Sequence, residues 1–306
     1  MSIIEKALAK QKAKEELANS EVIPENNDEV VENNNDVKTS SIQKAQTHIK
    51  ATIETKTDKN VTCSDIILNE ESLVKRGYMF DGVSRRVTQE EFRGIKRKLL
   101  NNAFGSGSKT LDHSNLIMVT SSNPNEGKTF VSINLALSIA LEQDKTVLLI
   151  DADVLRPSLN RELGFDTRDG LLEYLLSEVN SLGDIIYNTN VKNLKIVPAG
   201  RPHNLTNELL ASDKMAALAK ELAERYHDRI VIFDCPPILG ITETPVLASL
   251  MGQALIVVEE SKTKIDDVKR ATRQLNEDLA IGFVMNKTLK STKDAYGYYG
   301  YGSQAK

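Results

Sequence analysis

The chain has 306 residues, a formal net charge of −4 and 40% hydrophobic residues. That balance gives no global drive toward nucleic acid or an anionic membrane, and no stretch reaches the roughly 18–20 apolar residues that span a bilayer. The start, MSIIEKALAKQKAKEELANS, is too charged for a secretory signal, and the only cysteines, Cys63 and Cys235, lie far apart, which points to a reducing compartment without a disulfide framework.

Residues 1–19 read as a short amphipathic helix, with Ile3, Ile4, Ala7, Leu8, Ala13 and Leu17 set among lysines and glutamates. Residues 20–64 are rich in Asn, Asp, Glu, Lys, Ser and Thr and cannot bury enough apolar area to offset the entropy of ordering, so they are expected to be a disordered linker. Residues 65–87 form an extended lead-in where apolar residues return. From Thr88 the pattern changes. TQEEFRGIKRKLLNNAF places Phe92, Ile95 and Leu99 on one helical face, and Thr88 with Glu91 fits a capping box.

Short apolar runs then alternate with helical stretches. NLIMVTS, TVLLID, LKIVPAG, RIVIFD, ALIVVEE and IGFVMNK read as strands. KTFVSINLALSIALEQ, SDKMAALAKELAERYH and DDVKRATRQLNEDL read as helices. The strands are almost wholly apolar, as expected when helices cover both faces. The fold predicted is α/β, with a doubly wound, mostly parallel sheet and helices on both faces.

SSNPNEGKTF follows the first strand and opens a helix. It matches G-x-x-x-x-G-K-[ST] at Gly127, Lys128 and Thr129, with Ser122 at the first glycine position. Backbone N–H groups from Asn125, Glu126 and Gly127 through Phe130 are expected to face phosphate oxygens. Lys128 would neutralise the β and γ phosphates, and the Thr129 hydroxyl would ligate Mg²⁺. A serine at position 122 would carry a steric cost if that position needed positive φ. VLLIDADVLRPS ends a strand with Asp151 and Asp153, and RIVIFDCPPIL ends another with Asp234. Ligands of open parallel sheets bind beyond the carboxyl ends of strands, so the three carboxylates should meet a bound Mg²⁺–ATP. The pattern predicts a Mg²⁺-dependent nucleotide hydrolase or phosphoryl transferase.

Together SSNPNEGKT, LLIDADVLRP, IVIFDCPPILGITET and a tyrosine-rich end resemble the bacterial tyrosine autokinases of polysaccharide biosynthesis, the BY-kinases. The opening MSIIEKALA is similar to the start of their exosortase-associated group. The resemblance covers roughly residues 85–306 and implies a kinase domain over 88–290. It implies that Asp151 lies beside the γ-phosphate as metal ligand and acceptor of the tyrosine proton, with Asp153 and Asp234 supporting Mg²⁺. The family pattern D-x-D-x-R has Leu155 in its last position here, and Arg156 follows as a candidate for a phosphate or packing role. Asn286 matches the position that recognises adenine in related ATPases, or it is a strand-end turn residue. Glu90, Arg93 and Lys96 fit the spacing of the family's E-x-x-R-x-x-R subunit contact, with lysine in the last place. The implied partners are a membrane chain-length determinant or co-polymerase and further copies of the chain in a ring. The implied location is the inner face of the cell membrane, through that partner.

Tyr296, Tyr298, Tyr299 and Tyr301 are half of the eight tyrosines and stand in a glycine-spaced tail, residues 291–306. Such a tail lets each phenol visit a site one at a time, and these four are the expected phosphoacceptors. Two other readings remain open. One is a positioning ATPase of the ParA/MinD type, whose loop carries a lysine where this chain has Asn123. The other is a non-catalytic nucleotide-sensing scaffold.

Overall fold

The computed structural model describes residues 65–80, 86–105, 108, 110–204, 206–225 and 228–288. The amphipathic helix, the linker, the start shared with the exosortase-associated group and the tyrosine tail lie outside the described residues.

A seven-stranded sheet forms the centre, in the order β3-β4-β2-β5-β1-β6-β7. Its strands are β1 (Leu116–Ser121), β2 (Thr146–Asp151), β3 (Tyr187–Asn188), β4 (Leu194–Val197), β5 (Arg229–Asp234), β6 (Gln253–Glu259) and β7 (Ala280–Asn286). Every pairing is parallel except β3 with β4. The six expected strands are present. The seventh, β3, is two residues long and too short to leave a periodic signal.

Helices fill both faces because successive strand residues point to opposite sides. Leu116 and Met118 of β1 join one hydrophobic cluster, and Ile117 and Val119 join the other. Val231 and Phe233 of β5 alternate with Ile230 and Ile232 in the same way. The chain contributes α1 (Glu70–Lys75), α2 (Arg86–Phe104), α3 (Lys128–Ala140), α4 (Leu159–Leu163), α5 (Leu171–Leu175), α6 (Thr206–Leu210), α7 (Asp213–Arg225), α8 (Glu243–Ala248) and α9 (Ile265–Thr272).

Three expectations change. The lead-in is not simply extended. It holds α1 and inserts Ile66, Leu68, Leu73, Tyr78 and Met79 into the cluster that α3 shares. A backbone bond from Ile66 N to Asn188 O (2.9 Å) and a bond from Leu68 N to the side-chain Oδ1 of Asn190 (2.8 Å) fix it beside β3. Next, α2 begins at Arg86, so Thr88 lies within the helix and does not cap it. Nothing in the preceding Arg-Val pair breaks a helix.

The third change concerns Lys96. Phe92, Lys96, Leu99 and Ala103 share one stripe of α2, and Lys96 is only 7% exposed. Its ammonium donates to Ser138 O at 2.8 Å and pairs with Glu142 at 2.6 Å. Lysine therefore fastens α2 to α3 within the chain, and it is not available as a subunit contact. Glu90 and Arg93 remain outside, paired with each other.

Leu73→Ala should destabilise the protein by about 2–5 kcal/mol, the cost of a buried large-to-small change. Ile67→Ala, at a side chain 70% exposed, should stay within about 0.5 kcal/mol. Denaturant unfolding of both variants checks that the lead-in belongs to the core.

Candidate nucleotide and phosphoryl-transfer site

The parallel pairing of β2 with β5 sets Asp151 opposite Asp234, and β5 also pairs with β1, which feeds the phosphate loop. The site is therefore assembled where three neighbouring strands end.

The loop is held from several sides. Ile238 N donates to Ser121 O (2.8 Å) and Leu239 N to Ser122 O (3.2 Å), which ties the Pro236–Ile241 segment to the end of β1. The left-handed positions are Asn125 (φ 66°) and Gly127 (φ 97°). Ser122 is not among them, so the serine carries no backbone strain. Its buried hydroxyl has no hydrogen-bond partner among the described residues. Asn286 Nδ2 donates to Glu126 O at 2.9 Å, and Lys287 Nζ donates to Asn125 O at 2.6 Å. The last residue of β7 thus braces the loop, and a Cβ on Gly127 would stand 2.0 Å from Asn286 Nδ2.

Glu126 turns inward. Its carboxylate is buried and accepts from Asn123 N (3.0 Å) and from the Thr263 hydroxyl (2.6 Å). Its side chain anchors the loop beside α9, which leaves only its backbone for a phosphate. The Asn123 amide donates to Asp267 Oδ2 at 3.3 Å.

The three aspartates take different places. Asp151 is 1% exposed, and its carboxylate accepts from Asp153 N (3.2 Å), Ser158 N (3.2 Å) and Leu159 N (3.1 Å). Burial, reinforced by Asp234, pushes its carboxyl well above the usual range, while the N–H groups of Leu159 and Ser158 oppose the shift. Asp151 does not line the cleft that holds Lys128. The turn it caps supplies those N–H groups, and Asp151 stands opposite Asp234 in the strand register.

Asp153 does line that cleft. Its Oδ2 lies 4.0 Å from Lys128 Nζ. Burial raises its pKa, and Lys128 pulls it back. Asp234 is fully buried, with Oδ1 accepting from the Ser132 hydroxyl at 2.9 Å and Oδ2 lacking a hydrogen-bond partner. Burial pushes it up to about 6 against the Thr129 hydroxyl, Lys128 and the Ser132 hydroxyl. Thr129 Oγ1 is also 2.6 Å from Ser158 Oγ.

These groups suit Mg²⁺. The ion keeps several waters and takes one or two carboxylates together with substrate phosphates. A buried carboxylate oxygen with no partner, next to the threonine of a phosphate loop, is such a ligand. No preassembled cage of three or more His, Cys, Asp or Glu side chains occurs among the described residues.

The cleft has a volume of about 1030 Å³, and Gly127, Lys128, Thr129 and Phe130 line it together with Arg76, Arg156, Arg161 and Lys287. Five cationic side chains face Asp153 and Glu162, which favours a polyanion. An adjoining cleft of about 970 Å³ shares Arg76, Tyr78, Phe130 and Lys287 and holds Asn286.

Motif reading does not reveal Arg76, Tyr78 and Glu162. Tyr78 is 3% exposed, packs on Phe130 at 5.3 Å between ring centres, and donates to Glu162 Oε2 at 2.9 Å. Burial and Glu162 raise its phenol pKa. Lys287 had a signal in its place beside Asn286, whereas Arg76 and Tyr78 belong to no pattern of residue types.

The fold and loop define a P-loop nucleotide-binding domain, and the AAA-domain family matches residues 114–297. The relatives narrow the class. The tyrosine-protein kinase YwqD of Bacillus subtilis (strain 168) is 30% identical over 234 residues, 76% of this chain and 94% of that one. The tyrosine-protein kinase ptk of Acinetobacter johnsonii is 33% identical over 180 residues, 58% of this chain but only 24% of its own length. The kinase domain of Escherichia coli tyrosine kinase ETK superposes with a TM-score of 0.55 at 26% identity, covering 70% of this chain and 80% of that one. The chain belongs to the bacterial tyrosine autokinase family.

Gly127→Ala should lower affinity for Mg²⁺–ATP at least about tenfold, since it fills the approach to the phosphates and forces a side chain into positive φ. Titration of the variant and the unaltered chain with Mg²⁺–ATP checks this, and equal affinity would contradict it.

Proposed function

We propose that the chain is an ATP:protein-L-tyrosine phosphotransferase that phosphorylates its own tail at Tyr296, Tyr298, Tyr299 and Tyr301. The observation that carries this reading is Asp153, open to the cleft and 4.0 Å from Lys128. A nucleotide hydrolase needs only a water there. A kinase needs a carboxylate that a bulky acceptor can reach.

In the transfer, the phenolic oxygen bonds to the γ-phosphorus as the bond from that phosphorus to the β,γ-bridging oxygen breaks. ADP carries away the electron pair, and the phenolic proton passes to Asp153. A phenol has a pKa near 10, so a carboxylate beside its hydroxyl assists. Lys128 and the loop N–H groups position the phosphates and offset charge, which is most of what phosphoryl transfer asks of a protein. Thr129 and Asp234 would hold Mg²⁺, which would supply positive charge against the phosphates. Asp151 holds the Asp153–Leu159 turn in place. Asn286 and Phe130 would meet the adenine in the adjoining cleft once the Asn286 amide leaves Glu126 O.

The described residues end at Thr288, one beyond Lys287, which lines the cleft. Nine residues from Lys287 to Tyr296 reach at most about 30 Å, so an acceptor can visit a cleft on its own or a neighbouring copy. Transfer between subunits and control of exopolysaccharide or capsule polymerisation and export follow from the family resemblance, as does a membrane co-polymerase partner. Any ring contact on α2 would use Glu90 and Arg93 without Lys96. No helix among the described residues is long and apolar enough to cross a membrane, so attachment at the inner face of the membrane would depend on that partner. The positioning-ATPase reading is disfavoured by Asn123, whose amide is tied to Glu126 and Asp267.

Asp153→Asn should keep nucleotide binding and lose tyrosine phosphate, measured by binding titration and phosphotyrosine blotting. Asp151→Asn should lower the melting temperature as well, because an amide offers one acceptor oxygen to an N–H clamp that uses both oxygens of the carboxyl. Unchanged phosphotyrosine in Asp153→Asn would refute the assignment of Asp153.

A further inference from the structure

The strand at one end of the sheet is incompletely covered. β7 pairs with β6 from Gln253–Ala280 to Glu259–Asn286, and no strand pairs with its other edge among the described residues. Side chains alternate along it. Val284 packs on the cluster that α3 shares, whereas Ile281, Phe283 and Met285 point to the opposite face and are 36%, 55% and 61% exposed. Phe283 and Met285 also border the adjoining cleft.

The register shows where this stripe belongs. Ile281, Phe283 and Met285 stand beside Ala254, Ile256 and Val258 of β6. Those β6 residues lie in, or pack against, the second hydrophobic cluster. The core-facing side of the sheet therefore runs on for one strand past the residues that bury it. A single exposed apolar side chain is ordinary. Three in succession on an edge strand invite pairing with another chain, and native proteins cover such an edge.

The chain itself can supply the cover. It leaves β7 through Lys287, whose left-handed backbone (φ 58°) turns it out of the extended path. Residues 289–306 follow, more than twice the seven residues of β7, so a loop and a return along the strand fit within them. We propose that the unphosphorylated tail docks on β7 as an antiparallel edge strand and lays tyrosine rings over Ile281, Phe283 and Met285. In an extended tail Tyr299 and Tyr301 share one face and Tyr296 and Tyr298 the other. Either face sets two rings on the stripe, and aromatic pairs across strands are favourable. Docked phenols are withheld from the cleft. A phosphate adds about −1.5 to −2 charges, and burying that charge on an apolar stripe is costly, so phosphate on one tyrosine loosens the whole tail. Docking does not depend on the kinase reading. Only the source of the phosphate does.

The test is hydrogen–deuterium exchange by mass spectrometry on the full-length, phosphatase-treated chain without nucleotide, with sedimentation at the same concentrations. Beside it stand variants with Tyr296, Tyr298, Tyr299 and Tyr301 all changed to serine or all to phenylalanine, and the double variant Phe283→Ser, Met285→Ser. Segment 280–286 should exchange at least about tenfold faster in the serine variant than in the unaltered chain, the signature of an edge that has lost its partner. The phenylalanine variant should keep the protection, since it keeps the rings. Residues 295–301 should exchange faster in the double variant than in the unaltered chain. Equal exchange of segment 280–286 in the serine variant and the unaltered chain would overturn the proposal, since another occupant or none then covers the edge. Protection that appears only with a heavier species would overturn it too, because the contact would then join two copies.

Discussion

Two carboxylates stand side by side at the carboxyl edge of the sheet because β2 and β5 pair in register from Thr146–Arg229 to Asp151–Asp234. Both are buried, and burial disfavours the charged form of each. The chain resolves this conflict unequally. Asp151 is enclosed by N–H groups of the turn that follows it. Asp234 accepts the Ser132 hydroxyl on one oxygen, and its other oxygen has no hydrogen-bond partner among the described residues. An arrangement that leaves a buried carboxylate oxygen unpartnered is costly by itself and suited to a cation, so the electrostatic problem created by strand pairing is also what makes the site.

The elements around this pair hold it still. The Pro236–Ile241 segment is fastened to the end of β1, Asn286 and Lys287 brace the loop from β7, and Glu126 anchors it beside α9. Each support comes from a different part of the chain, so the loop geometry depends on closure of the whole sheet. The lead-in adds Tyr78 and Arg76 to the same cleft. The domain therefore begins, in packing terms, well before the first strand.

Much of this was legible in the sequence. Six apolar runs announced the parallel strands, and the Gly127–Lys128–Thr129 loop announced the phosphate site, because burial on both faces and phosphate binding each demand particular residue types at fixed spacing. The rest depended on contacts distant in sequence. Nothing local distinguishes Asp151 from Asp153, since they stand two residues apart at the end of one strand, and only the turn that folds back at Ser158 and Leu159 gives its N–H groups to the first while the second lines the cleft. Lys96 matched a surface motif by spacing, yet it shares a stripe with Phe92 and Leu99, and that stripe faces α3. The role of Glu126 was hidden because its partner, Thr263, lies 137 residues away.

The central claim is that this site transfers phosphate to the tail tyrosines. Its most direct test is peptide mapping by mass spectrometry after incubation with Mg²⁺–ATP, with the unaltered chain beside Lys128→Met. The account predicts phosphate on Tyr296–Tyr301 in the unaltered chain alone. ATP hydrolysis without tyrosine phosphate, or equal phosphate in Lys128→Met, would contradict it.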